Sequence, residues 1–196
     1  MDQEKKKEIY RKSIHLSSLI VPFSYRYLFN YHRKNTFFVL GSITVVALLI
    51  EITRLEHRTM KRIFYNIFGI MLRKHEIHDF TGATYLLVSA LICIAVFPRD
   101  IAFLALSFLA IGDTMAAVVG ISFGKRKLFK TKKSLEGSLA CFISTLIFAM
   151  IFIHPVIAFW GAFAATVAEF SRLSVDDNIK IPIASGLMMS LVNIFV

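Results

Sequence analysis

Apolar residues in this chain gather into long runs separated by short polar joints, with none of the strict alternation that marks a half-buried strand. A helix needs roughly 20 apolar residues to cross a bilayer. On that scale seven runs are read as spans: Ile14 to Phe29, Thr36 to Ile52, Ala83 to Phe97, Ile101 to Phe123, Ser138 to Ile153, Val156 to Phe170 and Ile181 to Val196. Arg54 to His78 is too polar to span. Within it Ile63, Phe64, Ile67, Ile70 and Met71 recur at helical spacing beside Lys61, Arg62, Arg73 and Lys74, the pattern of an amphipathic helix lying on a membrane surface. The expected architecture is all-α: a polytopic membrane bundle of about seven transmembrane helices plus one interfacial helix. There is no internal repeat or linker, so residues 1–196 are read as one domain.

Composition supports an integral membrane protein, since 56% of the 196 residues are hydrophobic and the mean hydropathy is +0.64. The formal charge of +10 raises nucleic acid as a partner. The cations lie between apolar runs and form no continuous stripe, so no nucleic-acid partner is expected and membrane orientation explains them better. With a cytoplasmic N-terminus, 19 of the 23 Lys and Arg residues fall on the inner side, leaving Arg26, Arg33, Lys34 and Arg99 outside. That bias predicts a multi-pass protein with an odd number of spans. Tyr25, Arg26 and Tyr27 interrupt the first run and no small-residue cleavage site follows, so it is read as a retained span and not a signal peptide. Cys93 and Cys141 lie far apart within apolar runs and indicate neither a disulfide framework nor a zinc site.

The polar residues inside or beside the runs carry the chemistry. Asp113 stands in the fourth run next to Gly112, Ala116, Gly120 and Gly124, which recur every four residues and flatten one helix face. Such a stripe serves helix packing, or lets backbone approach a ligand. A carboxylate within an apolar span is costly and points to function. A basic loop follows, with Lys125, Arg126, Lys127, Lys130, Lys132 and Lys133, ending on Ser134, Glu136 and Gly137 at a helix start, where free N–H groups suit an anion. Ser134 also reads as the N-cap of the fifth span. In the sixth span Ala162, Ala165, Thr166 and Glu169 share a face, and Asp176, Asp177 and Asn178 come next. Hard oxygen donors of this kind suit Mg2+, although Asp176 and Asp177 read equally well as a solvated turn. Near the start, Arg11 and His15 share a helix face, and Glu51 and Arg54 are spaced to pair with each other. His75, Glu76, His78 and Asp79 match no metal template. An acid for a metal, with cations and small-residue backbone for phosphates, is the equipment of phosphoryl or nucleotidyl transfer.

Five motifs in order carry a resemblance: E-x-x-R-K-x-x-H from Glu8 to His15, T-G-A-T-Y from Thr81 to Tyr85, G-D-x-x-A-A-x-x-G-x-x-x-G from Gly112 to Gly124, K-S-x-E-G from Lys133 to Gly137, and A-T-x-A-E with D-D-N-x-x-I-P up to Pro182. In these the chain resembles the CTP-dependent diacylglycerol and polyprenol kinases, which include dolichol, phytol and farnesol kinases and are related to phosphatidate cytidylyltransferases. The resemblance implies transfer of the terminal phosphate of CTP, with Mg2+, to the hydroxyl of a membrane lipid alcohol. It implies Asp113, Glu136, Glu169, Asp176 and Asp177 for metal and nucleotide, and Arg11, Lys12, Lys125, Lys127, Lys132, Lys133, Ser134 and Gly137 for phosphates. Gly120 and Gly124 would give backbone access, and Asp113 or His15 would be the base. A cytidylyltransferase is the alternative, but that family's second signature, G-D-x-x-S-x-x-K-R with a following K-D, is missing, and Glu169 and the Asp176–Asn178 loop stand in its place. A non-enzymatic carrier is the second alternative. Carrier folds tend to show repeat symmetry and midplane polar groups, whereas here the polar residues collect toward one membrane face.

Overall fold

The computed structural model describes residues 11–12, 15–69, 72–73, 75–127 and 133–196, and every regular element among them is helical. The first run is broken: a 3-10 turn Ser17–Leu19, the short helix α1 Ile20–Phe23 and a π turn Ser24–Leu28. Pro22 accounts for the break, since it offers no N–H and its ring crowds the carbonyl four residues earlier. Then come α2 (Arg33–Glu56), α3 (Arg58–Phe68), a 3-10 turn His75–Ile77, α4 (Gly82–Val96), α5 (Arg99–Phe123), α6 (Leu135–Met150), α7 (Pro155–Phe170) and α8 (Asp177–Val192). Among the described residues, extended pairing is confined to an isolated antiparallel bridge between Lys127 and Ser134.

Helix α5 is the central post. It packs against α6, α7, α8, α4 and α1, and 78% of its apolar window is buried, with Phe103, Leu104, Phe108 and Leu109 in the core. Helix α2 is the opposite case, with 24 residues at hydropathy 2.1 and only 22% of the window buried. Its Phe38, Val46 and Leu49 stand bare, as do Ile147 on α6 and Trp160 on α7. A water-soluble protein rarely tolerates so extended an apolar exterior, and lipid accepts it.

Of the seven expected spans, α2 and α5 alone among the described helices are long and apolar enough by themselves to cross a membrane. Helices α4, α6 and α7 are apolar but shorter, and α8 begins with charges and contains Pro182. The expected surface segment also changes. Helix α2 continues through Arg54, which is buried, so the amphipathic helix shrinks to α3; Ile70, Met71 and Lys74 lie outside the described residues.

The small-residue stripe is a helix joint. A Cβ on Gly112 would sit 2.9 Å from Cys141 Sγ, one on Gly120 3.0 Å from Ser134 Oγ, and one on Gly137 2.6 Å from the Ala116 carbonyl. Glycine at these positions is what lets α5 and α6 approach closely.

Tertiary contacts sort the helix ends into two groups. At one end Arg33 donates to the Phe97 carbonyl at 2.5 Å, Tyr31 donates to Asp100 at 2.7 Å, and the Arg26 guanidinium stacks 4.6 Å from the Phe152 ring. At the other, Arg54 reaches the carbonyls of Glu76 and Asp79, Arg73 pairs with Asp176, and Lys133 pairs with Glu169 and Asp177. The candidate chemistry is at this second end.

Candidate active site

Asp113 occupies the second half of α5 and is 5% exposed, which in so apolar a helix requires a partner. Lys12, itself 6% exposed, supplies it through a direct ion pair. Thr114 Oγ1 donates to the Lys12 carbonyl at 3.2 Å, fixing the N-terminal segment against α5. His15 Nε2 lies 3.6 Å from Asp113 Oδ2, too far for a hydrogen bond, and is buried with no hydrogen-bond partner among the described residues. Lys12, His15 and Asp113, far apart in sequence, therefore form one cluster.

Two further ion-pair groups border it. Arg73 stands 3.0 Å from Asp176 Oδ2. Burial alone would lower the Arg73 guanidinium's pKa, but the carboxylates of Asp176 and then Asp113 outweigh it and hold it above its ordinary value. Lys133 lies between α7 and α8, 3.0 Å from Glu169 Oε1 and 3.3 Å from Asp177 Oδ2, and it also donates to the Glu169 carbonyl. Burial would lower this ammonium too; Asp177 and Glu169, with a smaller share from Asp113, raise it. The charges of Asp113, Glu169 and Asp177 thus act on one lysine.

Local chain chemistry places these groups. Ser134 caps α6 by accepting from Gly137 N at 3.2 Å, which sets Lys133 just ahead of the first turn. Asp176 caps α8, accepting from Asn178 N at 2.9 Å while holding Arg73. Asp177 in that first turn pairs with Lys180 at 2.8 Å. The residues following α7 are therefore an N-cap and an ion-pair relay as well as an acidic turn.

Other expected residues are placed apart from the cluster. Lys125 and Lys127 are exposed beyond α5. Glu136 accepts from the Arg126 amide at 3.3 Å and so ties down the basic loop. Gly120, Gly124, Ser134 and Gly137 meet in the α5–α6 joint, where a Cβ on Gly124 would come within 2.6 Å of Ser134 Oγ. Lys132 lies outside the described residues.

The structure also buries polar residues that the sequence reading left outside the site. Glu51 and Arg54 form a buried pair with Arg54 Nε 2.8 Å from Glu51 Oε2, and Phe64 of α3 stacks 5.0 Å from the guanidinium. Glu51 Oε1 also accepts from Thr81 Oγ1 at 2.5 Å, and Glu76, which matches no metal template in sequence, is buried and accepts from Gly82 N at 2.9 Å. The three-residue spacing announced the Glu51–Arg54 pair; nothing local announced Glu76.

A cavity of about 580 Å3 opens beside the cluster. Arg11, Lys12, His15, Asp113 and Asn178 line its polar end, and Ile50, Phe64, Phe68 and Leu87 line its apolar side. The Asn178 amide nitrogen donates to Asp176 Oδ1 at 2.6 Å, which turns Oδ1 the other way. That oxygen is buried with no hydrogen-bond partner among the described residues.

Comparison with known proteins finds relatives over most of the chain. A protein named CTP-dependent diacylglycerol kinase 1 from Eremothecium gossypii is 27% identical over 173 residues, covering 74% of this chain and 55% of its own length. A probable chloroplastic phytol kinase from Triticum aestivum is 36% identical over 130 residues, covering 55% of this chain and 42% of its own. An uncharacterized protein of Methanocaldococcus jannaschii is 30% identical over 185 residues, 90% of this chain and 89% of its own. The chain is thus similar to proteins named as CTP-dependent diacylglycerol kinases and phytol kinases. It spans about half the length of the two named kinases. No family model matches, and no solved structure does. Beside such relatives the buried Lys12–Asp113 pair gains a context: a carboxylate and cations held at one end of a bundle, beside a cavity with one polar and one apolar side.

Proposed function

We propose that this chain is a CTP-dependent kinase of a membrane lipid alcohol. The observation that carries the reading is the Lys12–His15–Asp113 cluster, set beside Arg73 and Lys133 at the mouth of a half-apolar cavity. Phosphoryl transfer asks little covalent chemistry of a protein and depends on positioning and charge neutralisation. Here Lys12, Arg73 and Lys133 would neutralise the triphosphate, with Lys125, Lys127 and Lys132 adding charge at the approach. The alcohol oxygen forms a bond to the γ-phosphorus, the bond from that phosphorus to the β–γ bridging oxygen breaks, and CDP leaves. His15 takes the hydroxyl proton, because Asp113 is already neutralised by Lys12 while His15 Nε2 is unpartnered.

The carboxylates fit Mg2+ in chemistry, and a cation already stands among them: the Lys133 ammonium bridges Glu169 and Asp177 where a metal bound to hard oxygens would sit. Asp113, Glu169 and Asp177 are the residues that would hold it, with Lys133 turning to the phosphates. Bound there, Mg2+ would add charge stabilisation at the transferring group. Among the described residues no three acid, His or Cys side chains form a ready metal cluster. Asp176 and Glu136, occupied by Arg73 and by the Arg126 amide, are supporting residues in this reading.

The same reading makes the protein a single multi-pass unit with seven crossings and its N-terminus and site facing the cytoplasm. Support comes from the cation bias, from the alternation of helix ends between the two groups described above, and from the bare apolar exterior. Incubation of purified, reconstituted protein with γ-labelled CTP, Mg2+ and a panel of diacylglycerol, phytol, farnesol and polyprenols tests it. Label on lipid is expected. Label released as pyrophosphate in the presence of phosphatidate would identify a cytidylyltransferase instead, and label on neither would refute both.

A further inference from the structure

The cavity has a chemical polarity that its cations alone do not explain. Its polar end holds two buried atoms without hydrogen-bond partners among the described residues, Asn178 Oδ1 and His15 Nε2. The Asn178 orientation is fixed, because its NH2 group faces the Asp176 carboxylate, which only accepts. Oδ1 is therefore an acceptor awaiting a donor. A hydroxyl supplies one; a phosphodiester or ionised phosphate has no hydrogen to give. Beside it, Gly82 leaves the end open, since a Cβ there would come 2.9 Å from the Asn178 amide nitrogen.

Away from that end the walls turn apolar. Ala47 and Ile50 of α2, Phe64 and Phe68 of α3, and Leu87 of α4 line the same space. Helix α3 is amphipathic and lies across the end of α2, with Phe64 held under Arg54 and Phe68 packed on Phe64 at 4.8 Å between ring centroids. Helix α2 is the one whose apolar surface is mostly bare. A chain lying between α2 and α3 would thus pass directly from the surrounding lipid to the reacting groups.

We propose that this cavity is the acceptor subsite: the lipid alcohol enters between α2 and α3, its chain lies on Ala47, Phe64 and Leu87, and its hydroxyl donates to Asn178 Oδ1 on binding, then turns that one hydrogen to the neighbouring His15 Nε2 for transfer. The proposal rests on the kinase reading and adds to it the location of the acceptor, the class of head group accepted, and the residues that select the chain. Asn178 is an alcohol-recognition residue, and Ala47 with Phe64 sets how bulky a chain is admitted.

The experiment uses the full chain in nanodiscs, with diacylglycerol carrying a diazirine in its acyl chain, and two separate readouts. Photolabel mapped by mass spectrometry should fall on α2, α3 and α4, be displaced by unlabelled diacylglycerol, and survive excess phosphatidylcholine, whose head group has no hydroxyl. In kinetics, Ala47→Trp should raise KM for diacylglycerol about tenfold while leaving KM for CTP within twofold. Asn178→Leu should lower kcat/KM for the alcohol by about tenfold, as expected where a site built to bond a hydroxyl loses that bond. Phe64→Ala, which enlarges the space without adding bulk, should shift preference toward the wider acceptor and guards against a misfolded tryptophan variant. Label on other helices, or displacement by phosphatidylcholine, would overturn the assignment. So would an unchanged lipid KM in both Ala47→Trp and Phe64→Ala. Site-specific labelling without any transfer from CTP would instead count against the kinase reading and leave the binding site standing.

Discussion

Replacing Asp113 with Asn separates the structural from the chemical use of this carboxylate. The side chain keeps its shape and loses its charge, leaving the Lys12 ammonium 6% exposed and without its ion-pair partner. Breaking one side of a buried pair costs about 3–5 kcal/mol. At about 2–4 °C per kcal/mol for a chain of this size, that is a fall of about 10 °C in melting temperature. Lys12→Met should cost a similar amount for the converse reason. In the double variant no charge remains uncompensated, so its loss should be smaller than the sum of the single losses by about 1–3 kcal/mol. Turnover should behave differently. Without the Asp113 charge the reacting centre loses the anionic carboxylate that would face a metal and that stands next to His15, and kcat should fall at least ~1,000-fold in Asp113→Asn and in the double variant alike. Thermal denaturation in detergent and γ-labelled CTP transfer into lipid measure the two effects. Near-wild-type turnover in Asp113→Asn, at equal expression, would refute the reasoning, as would strictly additive stability losses.

Arg54→Met should destabilise by about 3–5 kcal/mol, since it strands Glu51 and frees the carbonyls of Glu76 and Asp79, and Glu51→Leu combined with it should recover part of the loss in the same melting assay. Lys133 has a raised pKa, so its pairing with Asp177 and Glu169 contributes full stability below the ordinary lysine value of 10.5 and is lost only as pH climbs past the higher folded value. Wild-type melting should therefore fall more steeply above pH 10.5 than that of Lys133→Met, and parallel curves would contradict the pairing. Because Cys93 and Cys141 are buried, single cysteines report topology against a low background. Lys34→Cys should react with an impermeant maleimide from outside intact cells and Arg172→Cys only from inside, while reaction of both from one side would defeat the proposed topology.

The chain's own pattern determined the helical class and the place of most elements, because a bilayer demands long apolar runs and satisfied backbone, and both demands are written locally. It was also enough to mark Asp113, the Ser134 cap and the Glu51–Arg54 pair, each of which depends on spacing within one helix or at its start. What it left open was which of two local meanings applied. Gly120 and Gly124 read equally as ligand backbone and as a packing face, and only the approach of α6 shows that they pack. Asp176 read as metal ligand or turn; locally it caps α8, and Arg73, more than a hundred residues away, makes it an ion-pair partner as well. The pairing of Lys12 with Asp113, the burial of Glu76 and the open acceptor atom of Asn178 arise where separate helices meet. Contacts of that kind carry no local periodicity, so the tertiary fold alone could supply them.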